Sequence, residues 1–207
     1  MFYFTKTPFW LKMLYRGCLW NYPASDGKKI YLTFDDGPHA AATPFVLDEL
    51  KKYNAKASFF CIGKNVIAET AIYKRILTEG HCVGNHSFNH LNGWKTDNKV
   101  YIENIEKARQ QIDSDLFRPP YGRATAFQIR NLKEKLNYKI VMWDVLSGDF
   151  DPSVNGQVAA ERVIRKSKSG SIVVFHDSAK AFRVLQVALP VILAYFSGQG
   201  FSFETIK

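Results

Sequence analysis

The chain has 207 residues, 46% hydrophobic and 23% charged, with a formal net charge of +9. That length and apolar content suit one well-buried domain and exclude an intrinsically disordered chain. The basic residues are dispersed or interrupted, as in Lys51-Lys52, Lys133-Glu134-Lys135 and Arg162 to Lys168. This argues against nucleic-acid binding and leaves an anionic glycan or membrane surface as acidic partners.

In chain order, Met1 to Arg16 is apolar and aromatic but is broken by Pro8, Lys12 and Arg16. It has no uninterrupted signal-peptide core or membrane span. Residues 1–28 are therefore expected as a capping segment with a short helix, ahead of a catalytic domain over residues 29–207. Phe9, Trp10 and Leu14, flanked by Lys and Arg, also suit a membrane-surface contact. Strand and helix patterns then alternate. Strands are expected at Lys29 to Phe34, Ala57 to Ile62, His81 to Gly84, Leu116 to Arg118, Lys139 to Val145, Ser171 to His176 and Phe201 to Ile206. Helices are expected at Pro44 to Tyr53, Asn65 to Glu79, Asn98 to Ile112, Thr125 to Leu136, Gln157 to Lys166 and Ala181 to Tyr195. Runs such as Ile172-Val173-Val174-Phe175 read as strands covered on both faces, hence an α/β fold with about seven parallel strands. A barrel and a doubly wound open sheet both fit this count. Cys18, Cys61 and Cys82 form no CxxC pair; Cys61 and Cys82 read as small core residues, and the odd count favours a reducing compartment. With no export signal, a cytoplasmic or membrane-associated location is favoured over secretion.

The chemistry-bearing residues collect where strands end. Asp35-Asp36-Gly37-Pro38 halts the first strand on two adjacent carboxylates, which repel unless a cation or basic partner offsets them. In isolation this is also an ordinary turn sequence. His86 and His90 follow the third strand at ligand spacing, sharing one face if the segment is a helical turn. Arg118-Pro119-Pro120-Tyr121-Gly122 follows the fourth strand, Asp144 to Asp149 the fifth, and His176-Asp177 the sixth. In parallel α/β folds those ends share one face, and in barrels that face carries the active site. An aspartate with two histidines makes a plausible open metal site. His39 reads as a rim residue, and Trp94 as either a sugar-stacking or a buried aromatic.

Thr33-Phe34-Asp35-Asp36-Gly37, His86-Ser87-x-x-His90, Arg118-Pro119-Pro120-Tyr121-Gly122 and Val174-x-His176 resemble, in order, the motifs of the polysaccharide deacetylases with a NodB-homology domain, carbohydrate esterase family 4. The resemblance runs from about Lys29 to the C-terminus and implies a distorted (β/α) barrel of seven strands. It implies that Asp36, His86 and His90 bind a divalent metal, with Zn2+ the first choice and Co2+, Ni2+, Fe2+ or Mn2+ as alternatives. It further implies Asp35 as general base, Arg118 as the arginine paired with it, the Tyr121 backbone N–H as an oxyanion donor, and His176 as general acid. Asp149 is the carboxylate expected to orient His176, on a loose match: Ser147-Gly148-Asp149-Phe150 has phenylalanine where tryptophan is usual. Asp144 and Trp143 are alternatives for these roles. Val174 stands where leucine usually lines the acetyl pocket. The implied activity is removal of N-acetyl groups from a glycan containing N-acetylglucosamine. Alternatives are an O-acetyl xylan esterase, a C–N hydrolase of a small cyclic amide, or a non-catalytic glycan-binding domain.

Overall fold

The computed structural model describes residues 3–207, so Met1 and Phe2 of the expected capping segment lie outside the described residues. The chain begins with helix α1 (Phe9–Leu14), then strand β1 (Lys29–Asp35), α2 (Ala42–Lys52), β2 (Ser58–Cys61), α3 (Gly63–Ala68) and α4 (Thr70–Thr78). Next come β3 (Cys82–Asn85), α5 (Asn98–Arg109), β4 (Leu116–Phe117), α6 (Ala126–Glu134), β5 (Lys139–Ile140) and β6 (Val145–Leu146). It ends with α7 (Gly156–Lys166), β7 (Ile172–His176), α8 (Phe182–Gly198) and β8 (Ser202–Phe203). Side-chain caps set several helix starts: Asp97 opens α5, Asn155 opens α7, and Thr125 with Gln128 forms a reciprocal capping box on α6.

The strands are parallel in the order β5-β4-β3-β2-β1-β7-β6, with β8 beside the start of β1. The two outer strands of that order, β5 and β6, are consecutive in the chain. The single strand expected over Lys139 to Val145 is therefore two short ones. Its first part pairs with β4 and its second with β7, so the segment between them must cross from one sheet edge to the other and curl the sheet into a barrel. The N-terminal segment lies along this seam: Leu19 bridges to Val141, Lys6 to Val145 and Asn21 to Ser171.

Two other expectations change. Asn65 to Glu79 is not one helix, because Glu69 leaves helical geometry and the Thr70 hydroxyl donates back to the Val66 carbonyl at 3.0 Å. The His86–His90 segment is an irregular loop, with Ser87 and His90 at φ 63° and 60°, so no helical turn brings the two rings together.

Strand alternation sorts the core into two layers. Ile30, Leu32 and Phe34 point outward and pack with Val173, Phe175, Leu47 and Leu189 under the helices. Tyr31, Phe60, Leu116, Val141 and Ile172 fill the barrel interior. Burying each such side chain contributes about 1.5–3 kcal/mol, which makes the scaffold rigid enough to hold strained loops at one end. Helix α1 contributes no buried residue, and Phe9, Trp10 and Leu14 are exposed. No described helix is long and apolar enough to cross a membrane.

Candidate active site

Register explains how the Asp35 and His176 sides of the site meet. On β1 and β7 the pairs are Tyr31 with Ile172, Thr33 with Val174, and Asp35 with His176. Partners in register project to the same face, so Asp35 and His176 both point into the barrel mouth at the C-terminal strand ends. Asp36 follows with φ 80°. That left-handed residue breaks the alternation and turns a second carboxylate toward the same mouth.

Asp36, His86 and His90 offer ligand atoms that all lie within 4.8 Å of one another. Asp36 Oδ1 is 3.2 Å from His90 Nε2 and 3.7 Å from His86 Nε2. This oxygen is buried and makes no well-directed hydrogen bond among the described residues. An orphaned buried oxygen facing two imidazoles is costly unless something else occupies the gap, so the donor set fits a divalent cation. His86 presents Nε2 because its Nδ1 bonds the Arg118 carbonyl at 2.7 Å. Burial lowers its pKa to about 4, leaving a neutral ring with a free lone pair at neutral pH. For Asp36, burial pushes the pKa up, but the His90 contact and the charges of His176 and His86 outweigh it and hold the carboxyl well below the usual range. The surrounding loop is pinned by Asn104, whose side-chain oxygen accepts from the N–H groups of Phe88 and Asn89, and by Asn65, which donates to the Asp36 carbonyl at 2.7 Å.

Arg118 is wholly buried. Its guanidinium donates to Asp35 Oδ1 and to Thr33 Oγ1, both at 2.7 Å, and to the carbonyls of Val141 and Met142. It also lies over the Phe60 ring at 4.0 Å. Burial pulls the Arg118 pKa down while Asp35 pushes it back. A buried carboxylate this close to a buried guanidinium is held in one orientation. After Arg118, the turn over Pro120–Gly122 puts Tyr121 at φ 60° with its ring 4.5 Å from that of His90. Gly122 and Arg123 donate their N–H groups to Pro119 and Pro120; the Tyr121 N–H is not part of that ladder. Gly122 has φ 65°, and a Cβ there would meet Trp143 at 2.5 Å.

Asp149 grips His176 twice, accepting from its backbone N–H at 2.7 Å and lying 2.8 Å from its Nδ1. Burial alone would lower the His176 pKa, but the Asp149 charge and hydrogen bond, with Asp36 and Asp35 beyond, raise it to about 9. The Phe150 ring packs edge-on against His176 at 5.2 Å. Val174 is buried next to Thr33 in register. Asp144, the alternative to Asp149, points elsewhere: it takes Lys6 at 2.5 Å, Lys12 at 2.7 Å and the Ser171 hydroxyl at 2.7 Å, and so fastens the N-terminal segment. Trp143 sits under the Tyr121 turn. His39 is a helix cap, its Nδ1 accepting from Ala41 and Ala42 N–H.

Asp177, placed by the sequence at the strand end beside His176, was given no role there. It is fully buried, accepts from Gly37 N–H at 3.0 Å and Thr43 Oγ1 at 2.6 Å, and donates its own N–H to the Asp35 carbonyl. Burial raises its pKa to about 8. A Cβ at Gly37 would collide with this carboxylate, which ties the Asp35-Asp36 turn to the end of β7. Its only sequence signal was its place beside His176.

A curled parallel barrel with carboxylates, imidazoles and a buried arginine gathered on its C-terminal rim has the layout of a barrel enzyme. The family model described as polysaccharide deacetylase matches residues 23–141, more than half of the chain, and the chain belongs to that family. It is 34% identical over 189 residues to a peptidoglycan N-acetylglucosamine deacetylase of Listeria monocytogenes, covering 88% of this chain but only 39% of that protein. It is also 34% identical to a peptidoglycan N-acetylglucosamine deacetylase of Bacillus cereus, covering 91% of this chain and 90% of the relative. Among solved structures, a peptidoglycan N-acetylglucosamine deacetylase in complex with 4-naphthalen-1-yl-N-oxidanyl-benzamide superposes with TM-score 0.88 at 31% identity, covering 97% of this chain and 95% of that one. That overlap reaches Asp149 and His176, which lie beyond the family match. A family pseudoenzyme of Bacillus anthracis shares the fold, with TM-score 0.78 at 24% identity over 90% of this chain and 66% of that one.

Proposed function

We propose that this chain is a metal-dependent deacetylase that hydrolyses N-acetyl groups on a glycan containing N-acetylglucosamine. The observation that carries the proposal is the convergence of three units at one barrel mouth: the Asp36, His86, His90 donor set, the Asp35–Arg118 pair and the His176–Asp149 pair. One carboxylate with two imidazoles suits zinc, and cobalt, nickel, iron or manganese can take the same donors. A cation held there would supply Lewis acidity toward water and toward the acyl oxygen.

The remaining roles belong to the protein. Asp35, oriented by Arg118, accepts the proton from the attacking water. The Tyr121 N–H donates to the oxygen on which negative charge develops. Val174 lines the space for the acetyl methyl group. His176, kept cationic by Asp149, donates its proton to the departing nitrogen. This pairing favours an amide over an ester: an amine anion is too basic to leave unprotonated, whereas an alkoxide is a better leaving group.

The test is acetate release from N-acetylglucosamine oligomers and peptidoglycan fragments, using chelator-stripped protein before and after adding zinc or cobalt. Restored release is the expected result. No release from protein carrying one metal equivalent would overturn the reading in favour of an ester or a cyclic amide as substrate.

A further inference from the structure

Beside the barrel mouth lies a second concavity, a cavity of about 610 Å³ between the end of α1, the Trp94 turn and the outer side of α6. It is continuous with the active-site rim through the backbone: Tyr121 faces His90, and three residues later Ala124 lines the cavity. Trp94 stands at this junction, 57% exposed. Its ring is fixed by Nε1 donating to the Ala124 carbonyl at 3.1 Å and by the Arg123 guanidinium 5.1 Å from its centre. An exposed aromatic with its polar edge already bonded offers an apolar face for a sugar ring. The walls beyond carry three exposed cations, Arg16, Arg130 and Lys133, against one carboxylate, Glu134. Among the described residues no ion pair joins any of those three cations to a carboxylate. On most protein surfaces cations and anions are interspersed; here like charges face one space with their donors unused. Lys133 and Glu134, part of one of the interrupted basic stretches in the sequence, are a wall of this cavity.

We infer that this cavity is a subsite for a carboxylate-bearing portion of the glycan: Trp94 stacks on a sugar next to the one being deacetylated, and Arg16, Arg130 and Lys133 hold an acidic substituent. The inference rests on the deacetylase reading for its substrate class and narrows it from N-acetylated glycans in general to those with free carboxylates. A neutral oligomer of N-acetylglucosamine would use the Trp94 platform and leave the cations idle.

The test is binding, which does not depend on turnover. A peptidoglycan disaccharide-peptide fragment with free carboxylates and the same fragment with its carboxylates amidated are titrated into the metal-free protein by calorimetry at low salt. The wild type should prefer the free acid by about tenfold, the scale of two exposed charge pairs, and the preference should shrink as salt rises. Arg130→Glu combined with Lys133→Glu should abolish it. Trp94→Ala should weaken both fragments alike. Thermal melting confirms that the variants fold; if the double variant does not, Lys133→Ala alone should still halve the preference or better. Equal wild-type affinity for the two fragments, or a preference that survives charge reversal, overturns the inference. Acetate release measured on the same variants after zinc is added back keeps the two readings apart. Release without charge preference sinks the subsite alone, while charge preference in a protein that never releases acetate sinks the deacetylase reading and leaves the cavity as a binding site.

Discussion

The two histidine-bearing sides of the mouth use one residue type to opposite ends. On the β3 side, burial and a bond from Nδ1 to a carbonyl leave His86 neutral, its pKa lowered to about 4. On the β7 side, His176 is also sequestered, but a carboxylate bonds its Nδ1 and raises the pKa to about 9. A carbonyl partner suits a ring to the proposed ligand role; a carboxylate partner suits it to the proposed acid role. Desolvation acts on both rings, so it is the second atom, not burial, that divides the roles.

The comparison breaks most completely at Asp36, the residue both sides feel. Asp36→Ala should remove metal and activity together, with metal content falling from near one equivalent toward zero by elemental analysis. Asp35→Asn tests whether the adjacent carboxylate belongs to the chemistry and not to the donor set: metal content should hold while kcat falls about 10²–10⁴-fold. Asp149→Asn sharpens the contrast directly. His176 is raised above its ordinary value, so its charged form, and the stability that form contributes, is present below pH 6.5 and lost as pH rises through about 9. The alkaline limb of kcat should therefore sit near 9 in the wild type and move toward 6.5 in the variant, with metal content unchanged. A limb that stays put would refute Asp149 as the group that charges the ring. The smallest effect is expected away from both histidines: Asp144→Asn should cost about 1–2 kcal/mol of stability by urea denaturation, because it loosens Lys6 and Lys12 from the seam, and should leave kcat alone.

Much of this arrangement was legible because strands buried on both faces write themselves as apolar runs, and a charged residue at the end of such a run stands out. Asp35, Asp36, Arg118 and His176 were found that way. The His86–His90 pair was found by its spacing, yet a helix would have produced the proximity differently; left-handed backbone at Ser87 and His90, braced by Asn104, does so here. Spacing survives a wrong conformation because only the ring positions matter. The break at Glu69 was hidden since both halves keep a helical period and the interruption hangs on a Thr70 hydroxyl bond. The split of Lys139 to Val145 was hidden for a different reason: its residues are as apolar as one strand, and only barrel closure dictates that the two ends pair with different neighbours. The position of Asp177 was legible but its role was not, because a buried carboxylate that bonds a backbone N–H and a threonine has no pattern in the chain.

The seam along β5 and β6 bears on the order of events during synthesis. Leu19 must pair with Ile140 and Met142, and Thr7 with the Asp144 carbonyl, partners more than 120 residues downstream. The segment ahead of β1 is thus among the last parts of the chain to find its place, since its backbone bonds wait on residues 139–146. The yield of folded protein should therefore depend more on translation speed across the second half of the chain than across the first.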